Sequence, residues 1–229
     1  MGNTAASPAG QPRFLRRQRK REITMKSLSV IASSLLVVAF TAFGCAQMSS
    51  MMDMGWTTLV DGEKGLENWN RIGDANWRAE GGAIVADKGK GGFLVSKNSY
   101  KDFQLKIEFW AAHDANSGIY MRCQDPNKFT DKTCYEANIF DQRPDQTYAT
   151  GGIVHIAAVS SMQKAGGKWN TYDITVKGSQ LTVVLNGVRT AEATDTKFAS
   201  GPFGLQFGNR PKGAPGGAIK FRKVQIKTL

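Results

Sequence analysis

The residues with the means to do chemistry concentrate in two short runs, Asn116-Ser117-Gly118-Ile119-Tyr120-Met121-Arg122-Cys123 and Tyr135-Glu136-Ala137-Asn138-Ile139-Phe140-Asp141. Both read as strands, in which side chains alternate between two faces. Glu136 and Asn138 then share one face, and Ala137 and Ile139 take the other. In the first run Tyr120 and Arg122 lie opposite Ile119 and Met121. An ionisable group fixed at mid-strand is better held than one on a loop tip, so this polar face is predicted to be a binding or catalytic surface. His155 interrupts the otherwise apolar run Gly151–Ala157, and Glu108 sits on the polar side of a further alternating run. Together these residues supply general acid–base groups and a cation able to steady a developing anion. With two His in the whole chain, a metal site would lean on carboxylates and carbonyls, which favours a hard divalent ion over zinc. Glu108 and Asp141 are the candidate ligands, and His113-Asp114 is either a further ligand pair or a solvated loop.

Each residue also has a plainer reading. Glu136 and Arg122 suit a cross-strand ion pair that only stabilises the sheet. His155 suits a satisfied packing histidine, and Trp110 a cap on the core edge.

The elements that must hold these groups are short strands. Phe103, Leu105, Ile107 and Phe109 alternate with Gln104, Lys106, Glu108 and Trp110, the mark of a strand with one face in a core. Trp56–Val60, Phe93–Val95 and Gly151–Ala157 read as further strands. Tyr172–Val176 and Leu181–Leu185 form a meander, with Asn186-Gly187 as a hairpin turn. About a dozen strands, 25 Gly and no convincing amphipathic helix predict an all-β antiparallel sandwich over residues 56–229.

The net charge of +11 is unevenly distributed. Residues 1–45 hold seven Lys/Arg and one Asp/Glu, leaving +5 for the rest. Those later charges are scattered as singles, so no nucleic-acid partner is expected. Lys26, the apolar stretch Leu28–Phe43 and the ending Ala42-Phe43-Gly44-Cys45 describe a signal peptide over 25–45. The Gly44-Cys45 step resembles a bacterial lipoprotein processing site, with Cys45 the lipidated residue; cleavage after Ala46 is the rival. Residues 1–24 read as an over-long start ahead of Met25-Lys26, and the Met- and Ser-rich residues 46–55 as a tether. The expected location is the periplasm or the outer-membrane or cell surface, with the membrane met only through the lipid. Export permits disulfides. Cys123 and Cys134 flank the loop between the two central runs, and a bridge there would add about 2–3 kcal/mol.

From Trp56 onward the chain resembles the 3-keto-disaccharide hydrolase family, also described as 3-keto-glucoside 1,2-lyase/hydratase. The matching pieces are Leu59-Val60-Asp61-Gly62 with Trp69, the run Asp102–Phe109, Ala115–Arg122, Tyr135–Asp141, Trp169-Asn170-Thr171-Tyr172, Leu185-Asn186-Gly187-Val188 and Gly204-Leu205-Gln206. The family often has Gln where Asn138 stands, Arg where Trp110 stands, and a polar pair where this chain has Phe207-Gly208. The resemblance implies a jelly roll of the concanavalin A-like lectin/glucanase type and a glycoside or oligosaccharide substrate. It also implies a separate sugar 3-oxidoreductase that makes the ketone. In such chemistry Glu136 would be the base. Arg122 or a divalent cation would stabilise the oxyanion, and His155 would be proton donor or metal ligand. Tyr120 and Trp110 would be sugar platforms, and Asn138, Asn116 and Gln206 would contact substrate. A non-catalytic carbohydrate-binding module on the same face is the alternative. Convergence of Glu136, Arg122 and His155 on one pocket would favour the enzyme, and dispersal the lectin.

Overall fold

The computed structural model describes residues 55–209 and 216–229. The signal peptide, Cys45 and all but the last residue of the tether lie outside the described residues. Thirteen strands follow in order: β1 (Thr57–Asp61), β2 (Trp69–Gly73), β3 (Arg78–Glu80), β4 (Ala83–Ala86), β5 (Gly92–Ser96), β6 (Phe103–Ala111), β7 (Ser117–Met121), β8 (Tyr135–Ile139), β9 (Trp169–Lys177), β10 (Gln180–Leu185), β11 (Val188–Thr194), β12 (Gly204–Phe207) and β13 (Ile219–Thr228). Two single-turn 3-10 helices, Leu66–Asn68 and Gln146–Tyr148, are the helical elements among the described residues. The strands form an antiparallel sandwich of jelly-roll, lectin-like type. One sheet has eight strands and the other five, ordered β2-β5-β12-β7-β8.

The alternation in β6 decides its orientation. Phe103, Leu105, Ile107 and Phe109 are buried, while Lys106 is exposed and Gln104, Glu108 and Trp110 are half-buried. Burial of each such apolar side chain contributes about 1.5–3 kcal/mol, so a one-residue slip that turned all four outward would be prohibitive. They meet Ile119, Met121, Ala137, Ile139, Leu205 and Phe207 from the five-stranded sheet in one core. Tyr172 crosses that core from β9 and donates its hydroxyl hydrogen bond to the Asn138 carbonyl at 2.6 Å.

The segment expected as a strand over Gly151–Ala157 is a tight turn. Only its first part pairs with the edge of β8, through Gly151 N to Asn138 O and Val154 N to Glu136 O, both 3.0 Å. The chain then reverses, with Ile153 N and Ala157 O 2.9 Å apart. His155 occupies the tip at φ 62°, where its side chain is exposed instead of packed.

Candidate functional site

Two cross-strand rows build the outward face of the five-stranded sheet. Register places Ile72 beside Phe93, Phe93 beside Gln206, and Gly118 beside Asn138. The next row carries Val95, Gly204, Tyr120 and Glu136. Glu136, Asn138, Tyr120 and Gln206 therefore come together on one face, with the parity expected from sequence. The face is not open. Glu136 is 5% exposed and Asn138 and Tyr120 are buried, because two loops roof them. The loop between β7 and β8 is closed by the Cys123–Cys134 disulfide. It lays the Phe129 ring against Phe93 and Tyr120, with centroids 5.3 and 6.4 Å away. A Cβ at Gly204 would lie 2.5 Å from that ring, so the glycine is what allows the loop to close. Tyr120, sandwiched in this way, is not a free platform for a sugar ring.

Glu136 folds across its neighbour strand. A Cβ on Gly118 would lie 2.8 Å from Glu136 Oε1 and 3.1 Å from its Cγ. The Tyr120 hydroxyl hydrogen-bonds to the Glu136 carboxylate, and Gln206 Nε2 donates to Tyr120 Oη at 3.1 Å. Burial pushes the Glu136 carboxyl up to about 7; the Tyr120 hydrogen bond and the Arg143 charge pull against burial, and the Asp131 charge adds to it. Burial, and then the Glu136 charge, hold Tyr120 well above the ordinary phenol range, which keeps it a donor. Three buried polar atoms around this carboxylate have no hydrogen-bond partner among the described residues: Asn138 Oδ1, Gln206 Oε1 and Arg143 Nε. Unmet buried polar groups cost about 1–3 kcal/mol each. Two acceptors and one cationic donor are thus available to a ligand. Substituting Gly118→Ala is expected to swing the carboxylate aside, because the nearest atom a Cβ would meet is Glu136 Oε1, with Glu136 Cγ and the Ala137 carbonyl oxygen next at 3.1 and 3.3 Å. Any turnover that depends on this carboxylate should fall by roughly 10–100-fold, with a smaller fall in Tm from the approach to the Ala137 carbonyl, as read by parallel kinetics and calorimetry.

Beside Gln206 a cleft of about 400 Å³ opens over β2, β5 and β12. Phe93 and Phe207 line it from the sheet, Asn127, Lys128 and Phe129 from the stapled loop, and Lys90 and Asn209 from its rim. Asn116 supports this rim without entering it. Its side-chain amide donates to Asn209 O, and its carbonyl accepts from Gly208 N at 2.8 Å.

Four residues expected at the site are elsewhere. Arg122 leaves β7 at φ 49° and turns inward, so parity stops one residue short of it. Its guanidinium donates to Lys101 O at 2.7 Å, Gly178 O at 2.8 Å, Phe198 O at 3.1 Å and Asp102 Oδ1 at 3.1 Å. It is a structural tie, paired with Asp102 and not with Glu136. Glu108 and Trp110 belong to the eight-stranded sheet and face outward on the far side of the sandwich. There Glu108 pairs with Arg222 at 2.5 Å, and Lys220 lies 4.9 Å over the Trp110 ring. Asp141 is saturated as a loop anchor, accepting from Thr150 Oγ1 at 2.6 Å, Ala165 N at 3.0 Å and Gly166 N at 2.9 Å. Glu108 and Asp141 therefore do not form a metal site, and no cluster of three or more His, Cys, Asp or Glu occurs among the described residues. His155 reaches only the rim, where its Nε2 stands 2.9 Å from Asp131 Oδ2 on the stapled loop. Glu136, Arg122 and His155 do not converge on one pocket.

Sequence reasoning missed Arg143, Asp131, Phe93, Phe129 and Asn209. The first two sit on loops, where no periodicity marks a side chain's direction. Phe93 reads only as part of a strand, with no face assigned, and both phenylalanines line the outer face.

The architecture is shared widely. A candidate glycosyl hydrolase from Parabacteroides distasonis ATCC 8503 superposes with a TM-score of 0.65 at 19% identity, covering 76% of this chain and 94% of that one. The carbohydrate-binding module CBM66 from Bacillus subtilis gives 0.52 at 16%, covering 76% and 96%. The Crh5 transglycosylase in complex with NAG gives 0.53 at 15%, covering 76% and 84%. At these identities the likeness is one of fold. No curated protein matches the chain. Residues 55–227 match the model of the 3-keto-alpha-glucoside-1,2-lyase-like domain, and the chain belongs to that family.

Proposed function

We propose that this carbohydrate-associated jelly-roll protein cleaves 3-keto-glycosides by elimination and hydration, with Glu136 as the base. The supporting observation is a buried carboxylate held up near 7 among unpartnered amide oxygens and a cation. A base poised near the working pH is the most effective kind. The ketone at carbon 3 acidifies the hydrogen on carbon 2. Glu136 takes that proton, and the C2–H electron pair moves toward the carbonyl to give an enolate. The enolate collapses to a C1=C2 double bond as the C1–O bond breaks, and the departing oxygen takes a proton from water. Addition of water across C1=C2, hydroxyl to C1 and hydrogen to C2, completes net hydrolysis. Arg143 offsets the enolate charge, and Asn138 Oδ1 and Gln206 Oε1 accept from sugar hydroxyls. An oxidoreductase acting on C3 of the sugar supplies the ketone. The protein works as an exported lipoprotein, anchored at Cys45.

The test is incubation of the purified protein with a 3-keto-glucoside and a 3-keto-disaccharide, with and without EDTA, across pH 5–9. The expected result is sugar release whose kcat/KM rises with pH and levels off above about 7. The rise has this sign because the base must be ionised. No release under any condition ends the hydrolase reading for those substrates. Binding without release would favour the non-catalytic alternative, which draws on the dispersal of Arg122 and His155.

A further inference from the structure

The outer face of the eight-stranded sheet, opposite the site, carries a feature that the sequence scatters and the fold gathers. Lys106, Lys177, Lys220, Arg222, Lys223 and Lys227 come from β6, β9 and β13 and point out of this sheet, against Asp61, Glu108 and Asp173, while at its margins β3 and β11 carry the self-paired Arg78–Glu80 and Arg189–Glu192. Three of the cations lie over tryptophan rings: Lys106 over Trp56 at 4.7 Å, Lys220 over Trp110 at 4.9 Å and Arg222 over Trp169 at 4.3 Å. Trp110 and Trp169 are cross-strand neighbours, as are Trp110 and Lys220. Trp169 is 36% exposed. Tryptophan beside lysine or arginine is the pairing that settles at the headgroup level of a bilayer, where the ring is half in apolar surroundings and the cation meets anionic lipid.

The place where the chain joins the domain points the same way. Gly55 packs on the Lys227 stem, where an added Cβ would lie 3.2 Å from Lys227 Cε. Trp56 follows on the same patch. Ten residue steps separate Cys45 from Gly55, a span of at most about 35 Å. A domain of this size is about 40 Å across. With a lipid on Cys45, the side of the domain that holds Gly55 stays nearest the bilayer, and the opposite side cannot easily turn to it.

We propose that this tryptophan- and lysine-bearing face docks on an anionic bilayer, leaving the Glu136 face turned toward solvent and substrate. The orientation rests on the lipid anchor proposed above; the affinity of the face does not, and the two are tested separately. Residues 55–229 form a compact unit with its own hydrophobic core and lack Cys45, so this domain serves as the probe. It is mixed with phosphatidylcholine vesicles with and without phosphatidylglycerol, and binding is read by co-sedimentation and by the tryptophan emission maximum. The expected result is binding to the anionic vesicles at low salt with a blue shift, loss at high salt, and little binding to pure phosphatidylcholine. Lys106→Glu with Lys220→Glu, which breaks no ion pair among the described residues, should weaken binding about tenfold or more. The charge-matched control, Lys97→Glu with Lys132→Glu, should bind nearly as the parent does. Absence of binding to anionic vesicles overturns the proposal. So does an equal loss in both double variants, since that reports net charge alone. Mass spectrometry of the full chain expressed in a bacterium decides the anchor independently. An unlipidated Cys45 removes the orientation and leaves the affinity of the face standing.

Discussion

Glu136→Gln is expected to abolish turnover and to make the protein more stable at pH 8. The loss of a general base lowers kcat by about 10²–10⁴-fold. The gain in stability follows from where its proton resides. In the folded protein Glu136 keeps its proton up to about 7, against 4.5 for the unburied group. Between those values the folded state binds more protons than the unfolded chain, so stability falls as pH rises. The contribution is fully present below pH 4.5 and gone above about 7, a difference on the order of 3 kcal/mol. Glutamine keeps the shape, carries no charge and removes this slope. Urea melts of the parent and Glu136→Gln at pH 5 and 8 check it. If the parent and variant curves stay parallel across that range, the carboxylate is not held up by burial, and its fitness as a base near neutral pH falls with it.

Arg122→Ala should be the most destabilising single change around the central hairpin. Four hydrogen bonds from one guanidinium hold three separate loops at the end of the sandwich. Removing the cation strands the Lys101, Gly178 and Phe198 carbonyls and leaves Asp102 without its cationic partner, with Gly178 N still donating to it. With the guanidinium buried and Asp102 still 28% exposed, the cost should lie at the lower end of the roughly 3–5 kcal/mol of a fully buried pair, which in a domain of this length lowers Tm by roughly 10 °C. Lysine does not replace it, because one ammonium cannot reach in the four directions that a planar fork covers. The pH profile of whatever activity survives should be unchanged, since Arg122 does not touch Glu136. A shift of the acidic limb in Arg122→Lys, measured below its melting temperature, would return Arg122 to the site.

These two residues also mark how far the sequence could be read. Alternation set Glu136 and Asn138 against Ala137 and Ile139 correctly, because burial of one face fixes the register of both strands. It also gave the correct inner face for β6. Alternation assigns faces, however, and not sheets. Glu108 and Trp110 are polar-face residues of β6, and nothing in their spacing says that β6 lies across the core from β8. Arg122 was lost to a single backbone angle, since a positive φ at the end of β7 is imposed by the carbonyls that its side chain reaches. The turn at His155 was hidden because an apolar run of seven residues suits a buried strand as well as a buried turn. The roof over Glu136 was least visible of all. It depends on two small residues, Gly118 and Gly204, whose missing Cβ atoms give the carboxylate and the Phe129 ring their room. A sequence reports that a glycine is present, not what is folded over it.

The short pairing of residues 151–154 with β8 has a further consequence. A sheet that ends in a bare strand presents unpaired amides and carbonyls to any similar strand it meets, and crowding turns that exposure into aggregation. Here the last strand of the five-stranded sheet has the outward N–H and C=O of Asn138 and the C=O of Glu136 taken by Gly152, Gly151 and Val154, and the covering segment reverses at once at His155. The strand that carries the central carboxylate is thereby closed to edge-on recruitment by neighbouring molecules, even where the protein is densely displayed.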